Sequence, residues 1–169
     1  MMSEVTLGGQ TVSIDGHFAE VGERLDNIAF TGNDLAELSL QDFAGKRKIL
    51  NIFPSIDTGV CAQSVRVFNE KAGNLDNTVV LCVSADLPFA QARFCGAEGL
   101  DNVKTVSIFR HSDVAKTLGV AMASGALAGL TARAVVVLDE NNQVLHSELV
   151  PEIKPVSYTH LTLPTSDLV

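Results

Sequence analysis

Basic residues are scarce in this chain, which has 12 Lys and Arg against 20 Asp and Glu and a formal net charge of -8. Recognition of nucleic-acid phosphates needs clustered Lys and Arg, so we expect no nucleic-acid partner. No apolar run approaches the roughly 18 residues that span a bilayer, so we expect no membrane partner. The polar N-terminus lacks the basic and apolar segments of a secretory signal, and we therefore expect a cytoplasmic protein.

Cysteine is also scarce, with three residues, Cys61, Cys82 and Cys95, and no C-x-x-C pair. The four histidines are scattered and show no metal-ligand spacing, so we expect neither a metal nor another cofactor. In the reducing cytosol, cysteines serve chemistry or metals more often than they form structural disulfides. The cysteines are therefore the first residues to consider for a catalytic role.

The chain does contain enough apolar residues for one hydrophobic core, since 46% of its residues are hydrophobic and 19% are charged. Apolar runs predict buried strands at residues 48–53 and 78–84, and apolar residues recurring every three or four positions predict a helix from Cys61 to Leu75. Further elements are predicted as a hairpin at 5–14, a helix at 88–95, a strand at 103–109, a helix at 113–118 and a hairpin at 134–149. This order favours an α/β sandwich of the thioredoxin type with an N-terminal β-hairpin.

The last 16 residues differ from the rest of the chain. Residues 154–169 are rich in Thr and Pro and show no amphipathic helical pattern. We therefore interpret residues 1–153 as a single thioredoxin-like domain. We expect residues 154–169 to be an aberrant tail, either non-native or disordered.

The region around Cys61 is the most informative. A buried strand is predicted to end at Phe53, a loop follows, and the next helix begins close to Cys61. Free N–H groups and the positive dipole end of a helix favour an anion, so this position favours the nucleophilic thiolate. Thr58 occupies the place of the first cysteine in a C-x-x-C motif. This replacement argues for attack by a single thiolate rather than exchange between two thiols.

The stretch from Pro54 through Thr58 to Cys61 resembles the P-x-x-x-T-x-x-C signature of peroxiredoxins. Residues 51–61, 84–90 and 93–99 look like the bacterial thiol peroxidase subfamily, the atypical two-cysteine peroxiredoxins. The resemblance covers residues 3 to 153, and it implies the peroxiredoxin type of thioredoxin-like fold.

The resemblance also implies roles for individual residues. Cys61 would be the peroxidatic cysteine and Cys95 the resolving one, while Thr58 would hydrogen-bond the peroxide and Pro54 would shield the sulfur from water. Arg133 matches the family's active-site arginine. A guanidinium near the sulfur would stabilise both the thiolate and the charge developing on the peroxide oxygens.

A catalytic cycle follows from these implied roles. Hydrogen peroxide or an organic hydroperoxide would oxidise Cys61 to a sulfenic acid, Cys95 would form an intramolecular disulfide with it, and thioredoxin would reduce that disulfide. Both cysteines are predicted to lie on helices, so their sulfurs should start too far apart for a bond. We therefore expect local unfolding around Cys61 and residues 89–95 in each turnover. The family is also commonly homodimeric.

Three other functions use some of the same features. A redox sensor would use the same two cysteines without sustained turnover. A thiol-disulfide oxidoreductase is disfavoured by the missing C-x-x-C, and a cysteine hydrolase by the lack of a suitably placed histidine. Of the residues outside these roles, Cys82 is expected to be a buried, inert strand residue. Phe89 and Phe94 are expected to pack on the core, with a possible second role in lining an apolar approach for alkyl hydroperoxides.

Overall fold

The computed structural model describes residues 3–26, 28–57 and 59–153. Its helices are α1 (Gly59–Ala72), α2 (Pro88–Glu98) and α3 (Ser112–Thr117), with a short 3-10 helix at Leu40–Phe43. Its strands are β1 (Ser3–Leu7), β2 (Gln10–Asp15), β3 (Ala29–Thr31), β4 (Glu37–Ser39), β5 (Arg47–Ile52), β6 (Thr78–Ser84), β7 (Lys104–Ser107), β8 (Ala121–Met122), β9 (Ala134–Leu138) and β10 (Val144–Leu149). Within the described ranges, no helix combines the length and apolar character that crossing a bilayer requires.

A seven-stranded sheet in the order β10-β9-β5-β6-β7-β3-β4 organises the molecule. β5, β6 and β7 are parallel neighbours, and the other pairs are antiparallel. Parallel neighbours need crossover connections, which α1 and α2 supply. Both crossovers move along the sheet in the same direction, so the right-handed rule places both helices on one face. The helices that carry Cys61 and Cys95 therefore cover the same side of the sheet.

The two faces of the sheet are packed by different elements. Alternate residues of β5 point in opposite directions, with Leu50 facing one core and Ile49 the other. The first core is completed by the N-terminal strands and α3. The second is completed by α1, through side chains such as Val65 and Phe68, and by α2 through Phe94. Cys61 belongs to the second core.

The predicted N-terminal hairpin is confirmed and forms a small separate sheet in the order β1-β2-β8. Its turn requires positive φ angles, which Gly8 (61°) and Gly9 (84°) adopt without a steric penalty. The Glu152 carboxylate accepts hydrogen bonds from both of these backbone N–H groups at 2.9 Å and from the Thr6 hydroxyl at 2.8 Å. The Ile153 N–H donates to the Thr6 carbonyl at 2.7 Å. The hairpin therefore fixes the segment that ends at Ile153.

The predicted α/β fold of the thioredoxin type is confirmed, with some differences in detail. The second helix continues three residues past Cys95 to Glu98, where Gly99 ends it in the left-handed conformation. The expectation that Phe89 packs on the core is wrong, because this side chain is 66% exposed; Phe94 does pack against the second core. β3, β4 and β8 have only two or three residues, too few for a recognisable period. The predicted tail at residues 154–169 lies outside the described residues.

We predict that Glu152→Ala lowers the free energy of unfolding by about 1–2 kcal/mol, because it leaves three hydrogen-bond donors of the hairpin without their acceptor. Urea unfolding measures this change. The matched control is Glu4→Ala on the exposed side of the same hairpin. It should change stability by less than about 0.5 kcal/mol. Equal effects of the two substitutions would contradict this role of Glu152.

Candidate active site

The chain leaves the sheet at the carboxyl end of β5 and, after a short loop, enters α1, which contains Cys61. Cys61 is the third residue of that helix, so its sulfur lies in the first turn, among backbone N–H groups that have no partner within the helix. The side chain is completely buried. Pro54, between the strand and the helix, is also buried. Thr58 lies outside the described residues.

Arg133 brings a positive charge to the Cys61 sulfur. It immediately precedes β9 and is only 2% exposed, and its Nη1 donates to Sγ of Cys61 at 3.4 Å. Nη2 donates to the Ile153 carbonyl at 2.9 Å, whereas Nε has no partner among the described residues. A buried cation is costly unless an anion faces it, so this arrangement favours the thiolate form of Cys61.

Cys95 lies in a different part of the same sheet face. It is the eighth residue of α2 and is partly exposed, with its sulfur 3.7 Å from Oγ1 of Thr105 in β7. Burial raises the pKa of the Cys95 thiol, and the contact with Thr105 partly opposes that shift. In this arrangement Cys95 is therefore a neutral thiol at neutral pH.

The structure does not bring the two cysteines together. Cys61 contacts Arg133 at the start of β9, and Cys95 contacts Thr105 in β7, with β5 and β6 between those strands. Strands β9 and β7 are therefore three strand spacings apart, which amounts to about 14 Å. A disulfide needs Cα atoms within about 7 Å, and both cysteines are free thiols here. A bond between them requires one of the helices to move.

Comparisons with known proteins show the family to which the chain belongs. The sequence pattern of the Redoxin family matches residues 20–161. A thiol peroxidase from Corynebacterium glutamicum is 47% identical over 152 residues, which cover 90% of this chain and 92% of that protein. The chain belongs to the thiol peroxidases of the redoxin family.

Solved structures show the same fold. A peroxiredoxin-like protein from Aquifex aeolicus is 33% identical, with a TM-score of 0.89 over 99% of both chains. A thiol peroxidase from Chromobacterium violaceum is 21% identical, with a TM-score of 0.82 over 94% of this chain and 92% of its own. The chain is thus a thiol-dependent peroxide reductase with a peroxiredoxin-type, thioredoxin-like fold, served by a reductant of the thioredoxin type.

Two hydrogen bonds that sequence reasoning missed hold the site of this thiol peroxidase in place. Oγ1 of Thr131 donates to the Phe53 carbonyl at 2.7 Å, which fixes the loop beside Pro54. Nδ2 of Asn51 donates to Oγ of Ser64 at 3.0 Å, which ties α1 to β5. The asparagine in the apolar part of β5, between Leu50 and Ile52, was a usable signal for the second bond. No sequence signal marked the first.

Cys82 lies in β6. In the sheet, β6 lies between β9, next to the Arg133 that contacts Cys61, and β7, whose Thr105 contacts Cys95. The expected burial of Cys82 is confirmed, since its side chain is inaccessible to solvent. Burial raises the pKa of the Cys82 thiol to about 12, although a contact with Nδ2 of Asn51 at 3.8 Å lowers it slightly. The thiol therefore stays protonated at neutral pH and is not a nucleophile there.

One group of side chains away from the cysteines has the composition of a metal site. The potential ligand atoms of His17, Glu20 and Glu23 lie within 4.8 Å of one another. His17 and Glu20 are exposed, Nε2 of His17 lies 3.1 Å from Oε1 of Glu23, and the same carboxylate oxygen accepts from the Glu20 N–H. These contacts already account for the arrangement as a surface ion-pair cluster. It lies in the loop after β2, apart from the thiol chemistry.

We predict that Arg133→Met slows oxidation of Cys61 by peroxide about 100-fold or more, because the charge facing the sulfur and the developing oxyanion is lost. Rapid-quench kinetics with one equivalent of peroxide measure the rate. Arg133→Lys should recover part of it, since a lysine keeps the charge without the planar fork. The exposed Arg24→Met is the control and should react like the parent protein. A parent-like rate in Arg133→Met would contradict the assigned contact.

We also predict that iodoacetamide leaves Cys82 unmodified in the folded protein at about pH 8. With a pKa of about 12, only about one thiol in ten thousand is ionised at that pH, and the fraction rises only as pH approaches the pKa. Peptide mass spectrometry after alkylation measures the labelling. The same treatment in urea is the control and should label all three cysteines. Rapid labelling of Cys82 in the folded protein would refute the burial assigned to it.

Proposed function

We propose that Cys61 is the peroxidatic cysteine and that Arg133 is its electrostatic partner. The observation that carries this proposal is the 3.4 Å contact between the buried guanidinium and the sulfur in the first turn of α1. The thiolate attacks one oxygen of the hydroperoxide, so an S–O bond forms while the O–O bond breaks. Sulfur is oxidised to a sulfenic acid, and the departing oxyanion takes a proton to leave as water or an alcohol.

Pro54 and Thr58 complete the proposed peroxide site. Burial of Pro54 in the loop before α1 supports a role in keeping bulk water from the sulfur. For Thr58, we propose that its hydroxyl donates a hydrogen bond to the bound peroxide. Its support is its place in the P-x-x-x-T-x-x-C signature, three residues before Cys61.

Cys95 is the proposed resolving cysteine. Its sulfur attacks the sulfenic acid at Cys61, so an S–S bond forms and water leaves. This step needs α2 or the start of α1 to open. Two ion pairs on the protein surface link α2 to α1 and to the loop before it: Arg66 with Glu98 at 2.7 Å and Arg93 with Asp57 at 3.3 Å. Exposed pairs of this kind stabilise by less than about 1 kcal/mol, so they permit opening.

The proposed cycle ends when thioredoxin reduces the Cys61–Cys95 disulfide and two electrons pass from its dithiol to the enzyme. Hydrogen peroxide and organic hydroperoxides are the proposed substrates. We also propose a cytoplasmic homodimer, for which the support is the resemblance to bacterial thiol peroxidases.

The proposed catalytic domain comprises residues 1–153, with residues 154–169 as a tail that carries no catalytic residue. Its support is that Cys61, Cys95, Arg133 and Pro54 all lie before residue 154, as does Thr58 in the sequence. The redoxin match extends to residue 161, eight residues past this boundary.

Single-cysteine variants test the proposed roles. Cys61→Ser should abolish peroxide consumption. Cys95→Ser should consume one equivalent and stop, because the sulfenic acid at Cys61 then has no partner thiol. The measurements are peroxide consumption and mass spectrometry after trapping the sulfenic acid with dimedone. Cys82→Ala is the control and should turn over like the parent protein.

The same assay separates an enzyme from a redox sensor. With thioredoxin and its reductase present, an enzyme consumes many equivalents of peroxide. A parent protein that stops after one equivalent would indicate a sensor. Sustained turnover by Cys61→Ser would overturn the assignment of the peroxidatic cysteine.

A further inference from the structure

The carboxylate of Asp86 accepts three hydrogen bonds close to the loop that leads to Cys61. It accepts from the Ser55 hydroxyl at 2.7 Å, from the Ile56 N–H at 2.6 Å and from the Ser84 hydroxyl at 2.7 Å. An ionised carboxylate only accepts, and its hydrogen bonds are stronger than those between neutral groups. Asp86 is half-buried. Asp86 therefore has a structural role rather than that of a solvated surface acid. We refer to its three hydrogen bonds with Ser55, Ile56 and Ser84 as the Asp86 tie.

The position of Asp86 joins the two segments that carry the cysteines. Ser55 and Ile56 lie in the loop that leads from β5 into α1 and Cys61. Asp86 itself lies between the end of β6 and the first residue of α2, Pro88. The Asp86 side chain thus links the loop that leads into α1 and Cys61 to the segment just before α2, the helix that carries Cys95.

Further polar contacts continue this tie beneath α2. Nε2 of Gln91 donates to the Ser84 hydroxyl at 3.0 Å and to the Val106 carbonyl at 2.9 Å. The Ser107 hydroxyl donates to the backbone carbonyl of Asp86 at 2.5 Å. Pro88 and Gln91 are the buried residues of α2, and its other residues are partly or fully exposed. The attachment of the helix to the sheet therefore includes hydrogen bonds from Gln91 beside the apolar packing of Phe94.

Hydrogen bonds of this kind allow a helix to detach from the sheet and pack against it again. Hydrogen bonds broken on opening are replaced by bonds to water, so their net contribution is modest, whereas an apolar face would lose its burial outright. The hydrogen bonds of the Asp86 carboxylate are of the stronger kind and so add to the resistance to opening.

We propose that Asp86 is a positioning residue that sets the balance between the closed arrangement, in which Cys61 reacts with peroxide, and an opened arrangement, in which Cys95 reaches Cys61. The inference rests on the proposed Cys61–Cys95 chemistry. Asp86 touches neither sulfur and acts through the loop at Ser55 and Ile56 and through the root of α2. Weakening it makes the closed arrangement rarer, which slows the first step and speeds the second.

Asp86→Asn tests the inference, because it keeps the shape of the side chain but removes the charge and replaces one acceptor oxygen with a donor. Rapid-quench mass spectrometry follows sulfenic acid and disulfide separately after a single addition of peroxide. We expect disulfide formation to accelerate about tenfold, the size of effect expected from losing one hydrogen bond to a charged group. Oxidation of Cys61 should slow by a smaller factor, because a tenfold shift of the balance populates the opened arrangement more than it depopulates a predominant closed one. The yield of sulfinic acid at high peroxide should fall, because the sulfenic acid is consumed sooner.

Two further variants make the result decisive. Ser55→Ala removes one of the donors to Asp86 and should shift both rates in the same directions. Disulfide formation should be about threefold faster, a weaker effect expected from losing one neutral partner, and oxidation of Cys61 should slow by less than that. This variant tests the inference if Asp86→Asn does not fold. Asp101→Asn removes an exposed charge near the end of α2 and should leave both rates unchanged. Parent-like rates in the tie variants, or slowing of both steps together, would overturn the positioning role. Absence of a Cys61–Cys95 disulfide in the parent protein would instead overturn the proposed chemistry on which the role rests.

Discussion

A buried guanidinium facing a buried sulfur is the contact on which the proposed chemistry of this thiol peroxidase depends. Arg133 and Cys61 are both shielded from water, and Nη1 lies 3.4 Å from Sγ. Removing a cation from water is unfavourable, and in the proposed mechanism a thiolate in the first turn of α1 would offset that cost. The surrounding contacts hold the pair in position, since the Ile153 carbonyl accepts from Arg133 and Thr131 fixes the loop before the helix.

The second constraint is that one fold must serve two reactions with opposite demands. The proposed attack on peroxide needs Cys61 enclosed beside Arg133, whereas the proposed disulfide needs Cys95 to cover the distance from β7 to β9. The parallel order of β5, β6 and β7 places both helices on one face, so the route between the sulfurs does not cross the sheet. In the proposed cycle, the hydrogen bonds of Gln91 beneath α2 would break and re-form with each opening.

Sequence reasoning predicted the parts of the fold that depend on local pattern. The strand at Thr78–Ser84 was found within its exact bounds, because a continuous apolar run has few other interpretations. Phe89 was misassigned because its exposure depends on how α2 sits on the sheet. The Asp86 tie was not foreseen, since it joins residues 30 and 31 positions apart in the chain. Arg133 was found only through the family resemblance, and Thr58 stays a prediction outside the described residues.

The most direct test of the central contact is the ultraviolet absorbance of the thiolate in the reduced protein at neutral pH. The parent protein should absorb more than Cys61→Ser by the amount expected for one thiolate, because Cys82 and Cys95 remain protonated in both. Identical spectra for the two proteins would show that the sulfur facing Arg133 is a neutral thiol. The electrostatic account of the site would then be contradicted.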